Sequence, residues 1–159
     1  MAAIYPGSFD PITNGHIDIL ERGIQLFDNV KIVVMDNIDK SGAFSVDERI
    51  EMITRSTQHL KGNIIIDSYY GLLVDYCKKE NISTVLRGLR ALTDFDYEFQ
   101  MALTNRRLNN EIESVLLVAS NEYSYVSSSM VRQIASFGGD VSFMVPENVE
   151  IKLREKYRR

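Results

Sequence analysis

The sequence predicts an α/β fold in which a doubly wound, five-stranded parallel sheet carries helices on both faces. Short apolar runs rich in β-branched residues alternate along the chain with segments whose apolar residues recur at helical spacing. The apolar runs are continuous rather than alternating, which is typical of strands buried on both faces of a parallel sheet. With 159 residues, 45% of them hydrophobic, the chain can bury one continuous core, so we expect a single domain over residues 1–159.

Five apolar runs are the predicted strands, at residues 2–5, 30–35, 63–67, 84–87 and 115–119. Helical segments separate them, so right-handed crossovers should place helices on both faces of the sheet, as in a Rossmann-like fold. Ligands of such sheets bind at the carboxyl ends of the strands, near the point where the strand order reverses. The residues just after each strand are therefore the candidates for function.

Six helices are predicted from their apolar spacing and from capping signals. Their apolar faces begin at Ile17, Ile50, Leu72, Phe95 and Val131, and Pro146 is placed to open a terminal helix. Ser45 and Glu48 have the spacing of a capping box, and Ser127 is a candidate N-cap.

Composition excludes several classes of function. The chain has 18 Lys and Arg against 22 Asp and Glu, a net charge of −4, whereas long nucleic acids are held by positive surfaces, so we expect no nucleic-acid partner. Cys77 is the single cysteine and only two histidines are present, so we expect no disulfide, no zinc site and a cytoplasmic location. No basic leader or apolar run of about 20 residues is seen, so no export and no membrane contact are expected.

Polar motifs follow four of the predicted strands. A glycine-bearing loop at residues 7–16 follows the first, Lys40 the second, the run 88–90 the fourth, and a serine-rich run at 123–129 the fifth. The carboxyl ends of parallel strands meet at one edge of a sheet, so these motifs should converge there. Their shared chemistry is affinity for phosphate.

The loop at residues 7–16 can bring backbone N–H groups and a helix N-terminus to a phosphate. It lacks the spacing of the dinucleotide fingerprint and of the P-loop, so an ordinary connection capped by Thr13 or Asn14 is the alternative. His16 stands in the first turn of the predicted helix and could direct its ring at an oxyanion.

Arg87 and Arg90 offer forked donors that suit phosphate oxygens, although Asp94, Asp96 and Glu98 could instead pair with them. The serines at 127–129 precede a predicted helix, where phosphates bind, although a serine-rich linker is the alternative. No serine has the setting of a nucleophile elbow, so covalent catalysis is not favoured.

Taken together, Gly-Ser-Phe-Asp-Pro and Thr-Asn-Gly-His within residues 7–16, Arg-Gly-Leu-Arg at 87–90 and three serines at 127–129 resemble the phosphopantetheine adenylyltransferase family of the bacterial coenzyme A pathway. The resemblance covers nearly the whole chain. It implies that the phosphate of 4′-phosphopantetheine attacks the α-phosphorus of ATP, giving dephospho-coenzyme A and pyrophosphate. It also implies Mg²⁺ bound mainly through the ATP phosphates, and a homohexamer.

The resemblance further implies a role for individual residues. His16 would stabilise the α-phosphate in the transition state, and phosphopantetheine would contact Ser8, Lys40, Leu73 and Arg87. The implied ATP site comprises Ser8, Phe9, His16, Gly88, Leu89, Arg90, Glu98, Tyr123, Ser124, Tyr125, Val126, Ser127, Ser128 and Ser129. Tyr123 stands where tryptophan is common in the family.

Three alternatives stay open at this point. The first is an adenylyl- or cytidylyltransferase acting on another small phosphate monoester, such as glycerol phosphate or nicotinamide mononucleotide. The second is a nucleotide-binding regulator without turnover, and the third is a purely structural subunit. A purely structural subunit would not explain why cationic and hydroxyl side chains follow four strands.

Overall fold

The computed structural model describes residues 1–36 and 41–158. In chain order the elements are β1 (Ala2–Gly7), α1 (Asn14–Leu26), β2 (Asn29–Asp36), α2 (Val46–Thr57), β3 (Asn63–Tyr70), α3 (Leu73–Glu80), β4 (Thr84–Leu89), α4 (Leu92–Leu108), β5 (Glu113–Val118), α5 (Ser128–Ser136) and α6 (Glu147–Lys156). The strands form one five-stranded sheet in the order β3-β2-β1-β4-β5, and every neighbouring pair is parallel. The predicted doubly wound parallel sheet is confirmed.

The strand order reverses between β1 and β4, at the centre of the sheet. β1 and β2 pair along the whole of Ala2–Gly7, whereas the β1 and β4 register is limited to Ile4 and Val85 in the described chain. The described register of the two central strands therefore does not continue to their carboxyl ends. Sheets of this class bind ligands in a crevice at this point.

The hydrophobic core lies on both faces of the sheet because successive side chains of a strand point to opposite sides. Ala3 and Tyr5 of β1 belong to the larger core cluster, which packs under α1, α2, α5 and α6. Ile4 belongs to a smaller cluster that includes Val74 and Tyr76 of α3. Both faces of β1 are fully covered, as its continuous apolar sequence predicts.

Capping explains where several helices begin. The Ser45 side chain accepts the backbone N–H of Glu48, and the Glu48 side chain accepts that of Ser45, so the predicted capping box of α2 is confirmed. Ser127 caps α5 by accepting the Met130 N–H, and Pro146 occupies the N-cap position of α6. Among the helices of the described ranges, none has the length and apolar character required to cross a bilayer.

α4 departs from the sequence-based expectation. Phe95, Phe99 and Leu103 share the predicted apolar face, but their exposed fractions are 42%, 51% and 53%. The residues that α4 buries are instead Glu98 and Asn105. α4 therefore turns polar residues toward the protein and leaves an aromatic face exposed.

α1 approaches the sheet closely at Gly23. A Cβ atom placed on Gly23 would lie 2.6 Å from Cδ2 of Leu86 in β4, so a larger residue would require the Leu86 side chain or the helix to move.

Candidate active site

Two cavities open at the carboxyl end of the sheet, one of about 380 Å³ and one of about 590 Å³. We call them the first and the second cavity. Ser8, Phe9, His16 and Arg87 line both of them, as do four neighbours, Pro6, Gly7, Tyr97 and Glu98. The cavities therefore meet at the carboxyl ends of β1 and β4, where a ligand in one would touch a ligand in the other.

His16 is held by an unusual capping box at the start of α1. The Thr13 N–H donates to Nδ1 of His16 over 3.0 Å, and Oγ1 of Thr13 accepts the His16 N–H over 3.3 Å. Histidine thus takes the place that Glu or Gln has in an ordinary capping box. Because Nδ1 accepts a backbone N–H, the ring proton of neutral His16 resides on Nε2.

Burial, together with the positive charges of Arg87 and Arg90, lowers the pKa of His16 from 6.5 to about 3. The His16 ring also packs edge-on against the Phe9 ring, with 4.9 Å between the ring centroids. His16 is therefore neutral near pH 7 and presents one N–H donor. It suits the stabilisation of an oxyanion, whereas proton transfer at neutral pH would require a pKa closer to 7.

The lowered pKa predicts a pH-dependent stability. Between about pH 3 and 6.5 the unfolded chain binds a proton that folded His16 excludes, so the folded state loses stability as the pH falls through this window. Urea unfolding of the wild type and of His16→Gln at several pH values measures this, and the wild type should lose stability faster on acidification. Parallel pH profiles of the two proteins would contradict the prediction.

Arg87 connects β4 to β1 and to α4. Its Nε and Nη2 donate to the Glu98 carboxylate, with Nη2 to Oε1 at 2.6 Å, and its Nη1 donates to the Pro6 carbonyl at 2.6 Å. The Glu98 side chain is 7% exposed, and that of Arg87 is 30% exposed. The salt-bridge alternative considered for Arg87 is therefore present in the structure, with Glu98 as its partner.

Arg90 repeats the arrangement at the end of β4. Its Nε and Nη2 donate to the Asp94 carboxylate at 2.9 and 3.2 Å, and its Nη1 donates to the Val126 carbonyl at 3.0 Å. A guanidinium has five N–H donors. Of those, the contacts within the described residues engage three on each arginine, and two remain for a ligand. Ion pairing and phosphate binding are therefore compatible, because the carboxylates orient the guanidinium groups.

The serine run at residues 127–129 forms part of the lining of the first cavity. Ser127 uses its hydroxyl as the α5 cap, and Ser128 Oγ donates to the Pro11 carbonyl over 2.7 Å. Ser129 Oγ lies 3.3 Å from that of Ser127, and all three residues line the cavity. The N-terminus of α5 therefore lies at the first cavity, a position that favours a bound phosphate.

Asp10 joins the loop at 7–16 to two other parts of the site. Its carboxylate accepts the N–H groups of Ala43 and Phe44 at 2.8 and 2.9 Å, with Nε of Arg49 3.6 Å away. Nη1 of Arg132, one turn into α5, donates to the Asp10 carbonyl. Asp10 thus holds the segment that follows position 40 and anchors a cation of the first cavity.

The second cavity is more apolar. Leu73, the first residue of α3, lines it with Leu72, Met101, Ala102 and Leu108. Asn105 and Tyr97 of α4 also line it, and sequence reasoning did not select them. The available signal was spacing, because Asn105 lies two turns after Glu98 on the same face of α4.

The structure brings together most of the residues selected from sequence. Ser8, Phe9, His16, Arg87, Gly88, Arg90, Glu98, Tyr123, Val126, Ser127, Ser128 and Ser129 line the first cavity, and Leu73 lines the second. Leu89, Ser124 and Tyr125 are outside the described lining of both cavities. Tyr125 is 56% exposed, and Ser124 Oγ donates to the Asn121 carbonyl. Lys40 is outside the described residues.

Comparisons with known proteins identify the family. A family model described as cytidylyltransferase-like matches residues 4–134. The chain is 56% identical to a phosphopantetheine adenylyltransferase of Crocosphaera subtropica over 158 residues, which cover 99% of this chain and 100% of that protein. It is 53% identical to the one of Desulfosudis oleivorans over 154 residues, 97% of this chain and 91% of that protein.

A solved structure confirms the architecture. The nicotinic acid mononucleotide adenylyltransferase of Plasmodium falciparum, complexed with NaAD, superimposes with a TM-score of 0.71 at 18% identity, covering 98% of this chain and 95% of that one. At this identity the likeness concerns the fold alone. The family model and the two relatives, each covering most of the chain, place it in the phosphopantetheine adenylyltransferase family, within the cytidylyltransferase-like nucleotidyltransferases.

Proposed function

We propose that this protein transfers the adenylyl group of ATP to the phosphate of 4′-phosphopantetheine, releasing pyrophosphate and dephospho-coenzyme A. The observation that carries the proposal is the meeting of two cavities at Ser8, His16 and Arg87. A reaction between two phosphorylated substrates needs two adjoining pockets and cations at their junction, because the substrates repel each other. The relatives' names supply the identities of these substrates.

The first cavity suits ATP. Arg90, Arg132 and the N-terminus of α5 surround one part of it and would hold the β- and γ-phosphates. Gly88, Tyr123 and Val126 also line this cavity and would form a second part of the site, which packs against a base. The α-phosphate would then lie between these parts, at the junction with the second cavity.

The second cavity suits 4′-phosphopantetheine. Arg87 would bind its phosphate with the two N–H donors that Glu98 and Pro6 leave available, and we expect Lys40 to assist. Leu73 and the apolar residues around it would contact the long, mostly uncharged arm. A cation at one end of an apolar cavity matches a phosphate at one end of such a molecule.

The reaction requires no covalent intermediate with the protein. A phosphate oxygen of the acceptor attacks the α-phosphorus, the bond between that phosphorus and the bridging oxygen to the β-phosphate breaks, and pyrophosphate leaves with the bonding electrons. Nε2–H of His16 would donate to a non-bridging oxygen of the α-phosphate, where negative charge increases in the transition state. The protein acts by alignment and by charge stabilisation.

We propose that Mg²⁺ enters with ATP. In the described ranges no group of three or more His, Cys, Asp or Glu side chains is arranged to hold a metal ion. Mg²⁺ commonly binds substrate phosphates while keeping several waters, and it would neutralise part of the triphosphate charge.

The defining experiment incubates the purified protein with ATP, Mg²⁺ and 4′-phosphopantetheine and detects dephospho-coenzyme A by mass. Parallel incubations replace 4′-phosphopantetheine with glycerol phosphate or nicotinamide mononucleotide. Pyrophosphate release with one of these acceptors, and no dephospho-coenzyme A in the first assay, would favour the alternative acceptors. Joint binding of both substrates without any product would favour a regulator.

We also propose that the protein is a cytoplasmic homohexamer. The location rests on the single, buried Cys77, and the hexamer on the family resemblance. The structure supports self-association through the outer face of α4, where Leu92, Phe95, Phe99 and Leu103 are exposed in one stripe. The Phe95 and Phe99 rings stack at 5.7 Å on that face.

A charge in this stripe should prevent assembly. Phe99→Glu is expected to lower the molar mass measured by sedimentation, because the substitution buries a carboxylate in the proposed interface. Ile151→Glu is the matched control, since Ile151 on α6 is 50% exposed and Phe99 is 51% exposed. Equal molar masses for the two variants and the wild type would contradict the proposed interface.

A further inference from the structure

The wall of the first cavity beyond β5 is held by α1. The Ala119 N–H continues the β4–β5 ladder by donating to the Leu89 carbonyl over 2.8 Å, and Ala119 lines the first cavity. After Ala119 the chain turns, and the Tyr123 N–H donates to the Ser120 carbonyl over 3.1 Å. The position of residues 118–120 therefore decides where Ala119 and Tyr123 face the ligand.

Two side chains of α1 make hydrogen bonds to the backbone of residues 118–120. Nη1 of Arg22 donates to the Val118 carbonyl over 2.7 Å and to Oδ2 of Asp18 over 3.2 Å. The same Asp18 oxygen accepts the Ser120 N–H over 3.3 Å. The Asp18 side chain is 16% exposed, so water competes weakly for its carboxylate. We call Asp18 and Arg22 the α1 clamp.

Under the proposed function, the clamped wall would face the base of the nucleotide. Arg87, Arg90 and Arg132 are the arginines of the first-cavity lining, and they would hold the phosphates. Gly88, Ala119, Tyr123 and Val126 also line this cavity, and their side chains carry no charge. A flat heteroaromatic base suits such walls.

We propose that Asp18 and Arg22 are positioning residues that set the affinity of the site for the base of the nucleotide donor, without touching the substrate. Neither residue lines the first cavity, so both act through the backbone of residues 118–120. When the clamp is absent, the wall must be ordered as the nucleotide binds, and that cost appears as weaker binding. The chemical step is unchanged because the His16 donor keeps its own hydrogen bonds. This inference rests on the proposed use of the first cavity for ATP.

The test compares a nucleotide with its base-free counterpart. Calorimetry gives the Kd of ATP and of inorganic triphosphate for the wild type, Asp18→Asn and Arg22→Gln. In both variants we expect the Kd of ATP to rise by about tenfold, typical of losing a charge-assisted hydrogen bond, with the Kd of inorganic triphosphate unchanged. In the assay KM for ATP should rise equally, while kcat and KM for 4′-phosphopantetheine stay within about twofold.

Arg55→Gln is the matched control, because Arg55 makes the same kind of pair, with Glu51 one turn earlier on α2, and is not part of the first-cavity lining. Arg22→Lys should restore part of the ATP affinity that Arg22→Gln loses, because lysine keeps a positively charged donor on a long side chain for the Val118 carbonyl. If Asp18→Asn does not fold, the Arg22→Gln variant alone tests the inference. The Arg22 side chain is 39% exposed, so we expect this variant to fold. Equal losses of affinity for ATP and for inorganic triphosphate, or no loss of affinity for ATP, would overturn the inference.

Failure of the proposed function would give a different result. A wild-type protein that binds ATP yet forms no product would refute the proposed function, while the calorimetry would still test the α1 clamp.

Discussion

His16→Ala is expected to lower kcat by about 10²–10³-fold while the Kd of ATP stays near the wild-type value, because one transition-state donor is removed. The physical basis is the capping box at Thr13, which commits Nδ1 to a backbone N–H and leaves Nε2–H for the α-phosphate. Steady-state kinetics and calorimetry measure the two quantities separately.

Two further variants separate catalysis from helix capping. His16→Gln restores the usual capping-box residue, so the thermal midpoint should stay near that of the wild type while kcat remains low. His59→Ala is the matched control, because it removes the other histidine of the chain, which is exposed. Wild-type turnover in His16→Ala would refute the assigned role.

Arg87→Ala is expected to affect both stability and acceptor binding. The substitution leaves the Glu98 carboxylate buried without its partner, and breaking a buried pair costs about 3–5 kcal/mol. We expect about 3 kcal/mol, the lower end, because the Arg87 side chain is 30% exposed and water already reaches it. KM for 4′-phosphopantetheine should rise more than KM for ATP, since under the proposed function the acceptor phosphate would contact this cation already in the ground state.

The double variant Arg87→Ala/Glu98→Gln separates the two effects. Removing the charge of Glu98 should recover most of the stability measured by urea unfolding, because no buried charge is left unpaired. Acceptor affinity should remain low, since the cation is still missing. A rise in KM for ATP alone would mean that the assignment of the two cavities is reversed.

Much of the fold could be predicted because its signals are local. Continuous β-branched runs gave all five strands, and Ser45 with Glu48 gave the start of α2. Element ends were less accurate. The predicted strand at 63–67 continues to Tyr70, and Leu72 and Phe27 are caps rather than helical residues. Such ends depend on pairing with neighbouring strands and on capping bonds, which short sequence windows do not contain.

The residues of the site could be selected, but their interactions could not. Arg87 was predicted either to bind phosphate or to pair with a carboxylate. Only the folded structure shows that Glu98 pairs with Nε and Nη2 of the guanidinium group, so that other N–H donors of Arg87 remain for a phosphate. The apolar spacing of α4 predicted the helix, which is confirmed, but it did not show that the structure exposes this face. Spacing alone does not distinguish a core from a surface shared with another subunit.

α1 holds two features of the first cavity. Its first turn places His16 where the two cavities meet, its second and third turns hold the backbone of residues 118–120, and Gly23 lies close to Leu86 of β4. A change that tilts this helix would therefore alter nucleotide selectivity and turnover together. If the base binds against residues 118–120 as proposed, engineering the enzyme for a larger base would require substitutions in the segment after β5, with α1 unchanged.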